Sequence, residues 1–397
     1  MLNERLEALG DYPFQRLNNL LAGTQPEANV TPLLMSAGDP KHDPPALLAE
    51  AVARHAKLWG SYPRTEGTPE FRKACADWLK RRYRLPDGLI DPDRQVLPLS
   101  GSKEGLFLAA LLAVPQEKGG RRPTVLLPNP YYHVYTAGAG MSGAEPVFLP
   151  ATRETGFLPD LDAIPADALE RCALFYLCSP ANPQGTFASI DYLKRLIGLA
   201  RQHDFVLLVD ECYAEIYDRA PPPGALEAAA ALGEGTANLL VMHSLSKRSS
   251  APGTRCGFVA GCPALMPKFQ RLRNYGGATV PGPILAAATE LWNEESHVEA
   301  NRALYRQKFD AAERILGDRF EFYRPPGGFF LWLKVGNGER AAEALWRAAA
   351  IKVVPGEYIG KPDAAGRNPG AGYIRVALVH DTATVEAALD RFVRVLA

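Results

Sequence analysis

The stretch L-L-V-M-H-S-L-S-K-R-S-S-A-P-G-T-R-C-G-F, residues 239–258, joins an apolar run to a cluster of polar side chains. The run predicts a strand covered on both faces, because nearly all of its residues are apolar. Ser244 ends this strand, Lys247 follows three residues later, and Arg255 lies eight residues further on. A lysine packed at a strand end can act as an amine nucleophile, and serine and arginine beside it can bind a phosphate dianion. The stretch therefore predicts a phosphate site next to a reactive lysine rather than a solvated basic loop.

Similar apolar runs precede this one along the chain, and longer amphipathic stretches separate them. Alternation of buried strands with helices is typical of an α/β fold with a mostly parallel sheet and helices on both faces. The predicted strands are 96–100, 124–128, 174–178, 205–210 and 239–244, and the helices between them are 104–114, 131–140 and 189–203.

The last hundred residues have a different pattern. Residues 285–317 predict one long helix, because few helix breakers interrupt them. Short strands and helices follow, which favours a smaller α+β domain: strands at 320–323, 329–335, 351–355 and 373–378, and helices at 338–350 and from about 382. The segment before Asp39 has no clear place in the first sheet. We therefore predict a large domain over 40–284 and a small domain made of 1–39 and 285–397.

Composition restricts the kinds of partner. The 397 residues contain 44 Lys plus Arg and 44 Asp plus Glu, so long-range attraction to nucleic acid or to an anionic membrane is not expected. No apolar run approaches the roughly 18 residues of a membrane span, and the N-terminus lacks a signal-peptide pattern. The six cysteines are scattered without a C-x-x-C pair, which argues against a zinc site or a disulfide framework. These features favour a cytoplasmic enzyme that binds small molecules and further copies of itself.

Polar residues follow the other predicted strands. In an open parallel sheet, ligands bind at the carboxyl ends of the strands. Gly101, Ser102 and Lys103 follow the first strand and begin a helix, whose N-terminal N–H groups can bind phosphate; a helix start that binds nothing is the alternative. Tyr132, after the second strand, can stack on a flat ring or simply pack on a helix.

Three further positions have an equally specific chemistry. Asn182 lies between two prolines and can donate to a ring oxygen, although a plain turn is the alternative. Asp210 ends a buried strand and needs a partner, such as a cationic pyridinium nitrogen, unless it only caps a helix. Tyr213 can reach the same ligand. Arg375, inside the apolar run Y-I-R-V-A-L, suits a substrate carboxylate or else a structural ion pair.

Taken in order, these motifs resemble the class I/II aminotransferases among the fold-type I pyridoxal-5′-phosphate (PLP) enzymes. The resemblance runs from S-A-G-D-P (36–40) to Y-I-R-V-A-L (373–378) and includes S-x-x-K with its later arginine, N-P-x-G and D-E-x-Y. Gln184 departs from the family, which often has threonine there. The resemblance implies the PLP-transferase fold and a homodimer with shared active sites.

It also implies roles for individual residues. Lys247 would hold PLP as a Schiff base and shuttle a proton, while Asp210 would pair with the pyridine nitrogen. Tyr213 and Asn182 would hydrogen-bond the ring oxygen, and Tyr132 would stack on the ring. The phosphate would be held at the turn of Gly101 by Ser102, Lys103, Ser244 and Arg255, with Tyr62 reaching the phosphate of the neighbouring subunit. Arg375 would clamp the α-carboxylate with the Gly38 N–H nearby, and turnover would be ping-pong.

Three stretches, 12–17, 99–107 and 129–135, look like those of bacterial N-succinyldiaminopimelate aminotransferases. This likeness implies N-succinyl-LL-diaminopimelate and 2-oxoglutarate as substrates, in lysine and diaminopimelate biosynthesis. Cationic candidates for the distal carboxylates are Arg16, Arg64 and Arg273. The alternatives are an aminotransferase for aspartate, an aromatic or another amino acid, a PLP-dependent C–S β-lyase, and a non-enzymatic sensor domain, which balanced charge disfavours.

Overall fold

A seven-stranded sheet forms the centre of the chain. It is seen in a computed structural model that describes residues 3–7, 9–27 and 30–397. The strand order is β2-β8-β7-β6-β5-β3-β4, and only β8 runs antiparallel to its neighbours. The strands are β2 (Val96–Leu99), β3 (Thr124–Asn129), β4 (Glu145–Pro150), β5 (Cys172–Cys178), β6 (Val206–Asp210), β7 (Leu239–Ser244) and β8 (Gly257–Gly261).

The five strands predicted from apolar runs are confirmed to within two residues at each end. Two strands of the sheet have no such run. β4 is an edge strand that begins and ends near prolines, which edges tolerate because one side needs no ladder hydrogen bonds. β8 is short and glycine-bounded, and a Cβ on Gly257 would lie 2.4 Å from the His243 carbonyl oxygen. The sequence of β8 is therefore determined by the close approach of two backbones, which requires glycine, and not by large apolar side chains.

Helices cover both faces of this sheet, as predicted. Successive strand residues alternate between two apolar cores: Leu207 and Val241 pack on one face, and Leu208 and Leu240 on the other. The helices of this region are α3 (Ala46–Arg54), α4 (Pro69–Tyr83), α5 (Pro92–Gln95), α6 (Ser102–Ala113), α7 (His133–Ser142), α8 (Ala166–Glu170), α9 (Ile190–Gln202), α10 (Ala225–Leu232), α11 (Leu245–Arg248), α12 (Met266–Gly276) and α13 (Gly282–Asn293).

The predicted single helix over 285–317 is wrong. The chain forms two helices there, α13 and α14 (Ser296–Leu316). The Glu294 carboxylate accepts hydrogen bonds from the backbone N–H of Ser296 (2.6 Å) and His297 (3.2 Å), which starts a new helix. α13 packs on α3 and α4 beside the large sheet, whereas α14 packs on the C-terminal helix α16 (Thr382–Leu396). The division of the chain at 284/285 stays a prediction.

A three-stranded antiparallel sheet of β9 (Phe330–Lys334), β11 (Val354–Pro355) and β12 (Tyr373–Ala377) forms the second region, with α14, α15 (Gly338–Ala349) and α16. The predicted strand at 320–323 is wrong. Phe320 and Glu321 have left-handed backbone angles, with φ of 59° and 49°, within a short 3₁₀ turn. Such residues cannot continue an extended strand.

The N-terminal segment joins this second region. β1 (Leu33–Leu34) pairs in parallel with β10 (Ile351–Lys352), so the predicted strand 351–355 divides between two sheets. Two short helices, α1 (Glu4–Glu7) and α2 (Pro13–Leu21), precede β1. Among the residues described above, no helix has the length and apolar character needed to cross a membrane.

Candidate active site

A cavity of about 510 Å³ opens at the carboxyl ends of β3, β5, β6 and β7. β9 and β12 of the small sheet close its other side through Phe330 and Arg375. Most of the site residues predicted from the sequence line this one cavity, although they are spread over more than 300 positions: Gly38, Ser102, Lys103, Tyr132, Asn182, Asp210, Tyr213, Ser244, Lys247, Arg255 and Arg375. The parallel sheet brings them together because its strand ends share one edge.

Lys247 lies on the short helix α11, directly after β7. Its Nζ donates a hydrogen bond to the Gly38 carbonyl oxygen and lies 5.3 Å from the centre of the Phe329 ring. Burial lowers the pKa of Lys247 to about 8, because desolvation disfavours the ammonium. A usable fraction of the side chain is therefore the neutral amine near neutral pH, which is the nucleophilic form.

Asp210 ends β6 at the floor of the cavity and is 3% exposed. Its carboxylate accepts hydrogen bonds from the Tyr135 hydroxyl (3.0 Å) and the Cys212 N–H (3.3 Å). Burial raises the pKa of this carboxyl, and these hydrogen bonds only partly oppose the effect. A buried carboxylate without a paired cation is costly, so the position suits a ligand that brings a positive charge.

An anion-binding cradle lies at the start of α6. The helix begins after Gly101 without a side-chain cap, so its first N–H groups stay available. Gly101 has φ of 79°, and a Cβ there would lie 2.2 Å from Nη2 of Arg255. Glycine is thus required for the arginine to cross this turn. Ser244 and Ser246 add hydroxyl groups on the same wall, with their Oγ atoms 3.0 Å apart.

Arg375 enters the cavity from β12 and is 7% exposed. Its guanidinium donates to Asn182 Oδ1 (3.0 Å) and to the Ser36 carbonyl oxygen (2.7 Å), and its buried Nε has no partner among the described residues. Burial lowers the pKa of Arg375 to about 10. Both acceptors are neutral, so the geometry does not match the structural ion pair that was the alternative for Arg375. A cation with a free donor fits a carboxylate ligand.

Other predicted residues lie away from this cavity. Tyr62 is fully exposed and Arg64 pairs loosely with Glu66 on the surface. Arg16 lies over the Tyr358 ring, 3.9 Å from its centre. The prediction that Arg273 lies at the cavity mouth is wrong.

The Arg273 side chain is buried and bound inside the protein. Its guanidinium donates to the carbonyl oxygens of Thr65 (3.1 Å) and Ala278 (2.8 Å) and lies 3.5 Å from Glu104. Those contacts tie α12 to neighbouring loops, which is a structural role. Sequence context did not show which side of α12 carries the residue.

Sequence reasoning missed several residues that line the cavity: Tyr12, Phe14, His133, Tyr135, Cys178, Cys212 and Ser246. Two of them had a usable signal. Tyr135 lies three residues after Tyr132, so both face the same side of α7. Ser246 directly precedes Lys247 in the opening motif. Tyr12 and Phe14 come from the N-terminal segment, whose path depends on the packing of α2 against α15 and β11.

Residues 30–392 match the model of the family "Aminotransferase class I and II", and the chain belongs to this family. Aminotransferases of this class depend on PLP, so the fold and cavity are those of a PLP-dependent transaminase.

Individual relatives agree with this placement. The LL-diaminopimelate aminotransferase of Desulforudis audaxviator is 31% identical, with 98% of this chain and 96% of the relative covered. A solved aminotransferase from Neisseria meningitidis is 37% identical with a TM-score of 0.94, covering 100% of both chains. The aminotransferase AspB from Helicobacter pylori is 34% identical with a TM-score of 0.88, covering 97% of this chain and 98% of that chain.

The cavity has the groups that PLP requires. The uncapped start of α6 and Arg255 suit its phosphate, and the unpaired carboxylate of Asp210 suits a protonated pyridine nitrogen. Lys247, with its lowered pKa, suits the covalent attachment. Each group answers a separate part of the cofactor, so we find that the residues fit it.

Proposed function

We propose that this chain transfers the amino group of N-succinyl-LL-diaminopimelate to 2-oxoglutarate. The observation that carries the proposal is a second set of polar groups at the cavity mouth, separate from Arg375. Lys103 reaches the cavity from the first turn of α6 and lies 5.9 Å from the centre of the Tyr12 ring. The Nε2 atom of His133 is buried on the same wall and has no partner among the described residues. These groups suit a distal carboxylate.

The charge of the mouth favours a succinylated substrate. Burial, with Lys103 and Arg375 nearby, lowers the pKa of His133 to about 4, so its ring is neutral at pH 7. Unmodified LL-diaminopimelate carries a distal ammonium, which Lys103 repels. The carboxylates that line the cavity are Asp210 at its floor and Asp39, which already pairs with Lys41. Succinylation removes the ammonium and adds a carboxylate.

A second candidate is LL-diaminopimelate itself. This substrate is favoured because the relative that is 31% identical over nearly the whole chain is named an LL-diaminopimelate aminotransferase. Both substrates share a long chain with a remote carboxylate for Lys103 to bind, but in LL-diaminopimelate the neighbouring ammonium weakens that contact. They differ in the distal amine, and a direct comparison of the two donors separates them.

The cavity residues that were predicted from the sequence each have a proposed task in the transfer. Arg375 binds the substrate α-carboxylate, assisted by the Gly38 N–H. Lys247 Nζ takes the proton from the substrate α-carbon, which its lowered pKa allows. Asp210 holds a proton on the pyridine nitrogen, and Tyr213 and Asn182 hydrogen-bond the ring oxygen. Tyr132 packs on the ring, and Ser102, Lys103 N–H, Ser244 and Arg255 bind the phosphate. PLP, when bound, stabilises the negative charge that develops at the α-carbon.

The proposed functional unit is a homodimer. Large side chains lie exposed on one stretch of the surface, with Leu58 at 43%, Trp59 at 56% and Tyr62 at 101% exposure. Exposed apolar side chains grouped along one segment support an interface there. In the proposed dimer, Tyr62 reaches the phosphate in the partner subunit. Light scattering should give twice the mass of the 43.2 kDa chain, and a monomer would contradict this part of the proposal.

A donor–acceptor screen tests the substrate. PLP-loaded protein is mixed with 2-oxoglutarate and with N-succinyl-LL-diaminopimelate, LL-diaminopimelate, aspartate or phenylalanine, and glutamate formation is measured. The proposal predicts the highest kcat/KM for the succinylated donor. A higher value for LL-diaminopimelate supports the second candidate, and turnover of only aspartate or phenylalanine overturns both. Release of pyruvate from cysteine conjugates without an acceptor identifies a β-lyase instead.

A further inference from the structure

A second buried lysine, Lys308 on α14, lies outside the cavity. Its side chain is fully buried, and its Nζ lies 3.0 Å from the Leu378 carbonyl oxygen and 2.6 Å from Nε2 of His42. It also lies 4.6 Å from the centre of the Tyr305 ring. None of these partners is a carboxylate. Burying a lysine among neutral groups is costly, and an apolar side chain would fill the same space more cheaply.

The contacts of Asn301 determine the direction of the hydrogen bonds around His42. Asn301 Nδ2 donates to the carbonyl oxygens of Lys247 (3.1 Å) and Arg248 (3.4 Å). The Oδ1 atom of Asn301, which only accepts, therefore faces Nδ1 of His42 at 2.7 Å, so Nδ1 carries the proton. In the neutral ring Nε2 is then an acceptor, and Lys308 donates to it. The chain of bonds runs Lys308 to His42 to Asn301 to the Lys247 backbone.

The segment that carries His42 also contacts the other end of Lys247. The Lys247 amine donates to the carbonyl oxygen of Gly38, four residues before His42. The Ser250 hydroxyl donates to the His42 carbonyl oxygen at 2.7 Å, which ties this segment to the loop after α11. The backbone of Lys247 is thus held by Asn301, and its amine by the segment that carries His42.

His42 and Lys308 do not both carry a positive charge. At 2.6 Å, two positive charges repel strongly, and burial lowers the pKa of both groups, that of Lys308 to about 7. The charged groups that oppose this are Asp381 at the start of α16, which raises both pKa values, and Asp43, which raises that of His42. A neutral His42 with its proton on Nδ1 is therefore the form that Lys308 selects near pH 7.

We propose that Lys308 is a positioning residue for the transamination: by donating to His42 it fixes the imidazole tautomer that donates to Asn301, and so fixes Lys247. This inference rests on the proposed role of Lys247 as the cofactor lysine. Without Lys308, either ring nitrogen of His42 can carry the proton. Asn301 then loses its fixed orientation, and Lys247 loses a defined backbone position.

A double-mutant cycle tests the coupling. Lys308→Met is made both in the native protein and in a His42→Asn background, where the amide donates to Asn301 without any choice of tautomer. In the native background Lys308→Met should lower kcat about tenfold, with the KM of the amino donor changed less than about twofold. In the His42→Asn background the same substitution should change kcat by less than about twofold. Equal losses in both backgrounds, or no loss in the native one, overturn the inference.

The absorbance of bound PLP gives a second readout. The pH midpoint of its visible band should shift by about 0.3 unit or more on Lys308→Met with His42 present, and should stay in place with Asn at position 42. Lys352→Met is the control, because burial also lowers the pKa of Lys352, although its side chain is only partly buried, and it bonds to Asn18, outside the chain of bonds. The control should keep the native kcat and midpoint; loss of either there would mean that Lys308→Met reports general damage and would overturn the inference.

Two further outcomes keep the test decisive. If Lys308→Met does not fold, Asn301→Ala removes the last bond to Lys247 while leaving the pair intact, and it should lower kcat about tenfold. An unchanged kcat in Asn301→Ala overturns the inference. Failure of the native protein to bind PLP at Lys247 is instead a failure of the proposed function, and borohydride reduction followed by peptide mapping detects it.

Discussion

Lys247 and Lys308 are two lysines whose pKa burial lowers, to about 8 and about 7 respectively, yet their surroundings differ. Lys247 lines an open cavity with Asp210, Arg255 and Arg375. Lys308, on α14, is instead enclosed by the protein, with His42 and the Leu378 carbonyl oxygen as its partners. A lowered pKa therefore does not by itself define a reactive lysine. Access to a ligand and complementary groups around it distinguish the two lysines.

Removing the cavity lysine should have the largest effect. Lys247→Ala takes away both the covalent attachment and the base, so kcat should fall by roughly four orders of magnitude or more. Lys308→Met, the matched change at the sealed lysine, should cost far less and leave about one tenth of the native kcat. Steady-state assays of glutamate formation measure both. Comparable losses in the two variants would remove the distinction between the regions.

Neutralising the carboxylate at the cavity floor should have the next largest effect on kcat. Asp210→Asn keeps the shape of the side chain but removes its charge, so the pyridine nitrogen of PLP loses the carboxylate that keeps it protonated. We expect kcat to fall about 10²- to 10³-fold, with PLP still bound. Tyr135→Phe, which removes only the 3.0 Å hydrogen bond to Asp210, should cost far less. An Asp210→Asn protein with native kcat would show that Asp210 only caps the loop after β6.

The cavity mouth should show a smaller effect that depends on the substrate. Lys103→Gln should raise the KM for N-succinyl-LL-diaminopimelate about tenfold, because a charge-assisted hydrogen bond to its distal carboxylate is lost. The KM for a donor without a distal carboxylate, such as alanine, should stay within about twofold. Lys194→Gln on α9, which removes a partly exposed cation that pairs with Asp191 and does not line the cavity, is the control. Equal changes for both donors would place the effect on the cofactor phosphate instead.

The smallest effect should be on stability, and it should come from the sealed lysine. Because the pKa of Lys308 is lowered in the folded chain, the unfolded chain binds more protons between about pH 7 and 10.5. The free energy of unfolding should rise with pH in this window, by up to about 1.4 kcal/mol per pH unit. In Lys308→Met this contribution is absent. Urea unfolding at pH 7 and pH 9 measures the difference, and an equal rise in the two proteins would show that burial does not lower the pKa of Lys308.

The parts of the cavity that follow buried strands were predictable from the sequence. Ser244, Lys247 and Asp210 come directly after apolar runs, and a parallel sheet gathers such positions at one edge. Hydrophobic pattern and spacing together were therefore sufficient to predict that these residues meet in one cavity, and the predicted α/β fold is confirmed by the family match.

The remaining parts depend on tertiary packing that no local pattern contains. Tyr12 reaches the mouth through the path of the N-terminal segment, and Arg273 turned out to face inward on α12. The break between α13 and α14 falls at Glu294, a residue with good helix propensity, because the two helices pack on different cores. His42 and Lys308 are 266 positions apart, so their contact has no signature in the sequence.

The most direct test of this account is the location of bound PLP. The loaded protein is reduced with borohydride, digested, and mapped by mass spectrometry. The account predicts one pyridoxyl group per chain, on the peptide that contains Lys247, and none on Lys308. Labelling of Lys308, or of surface lysines in place of Lys247, would contradict it.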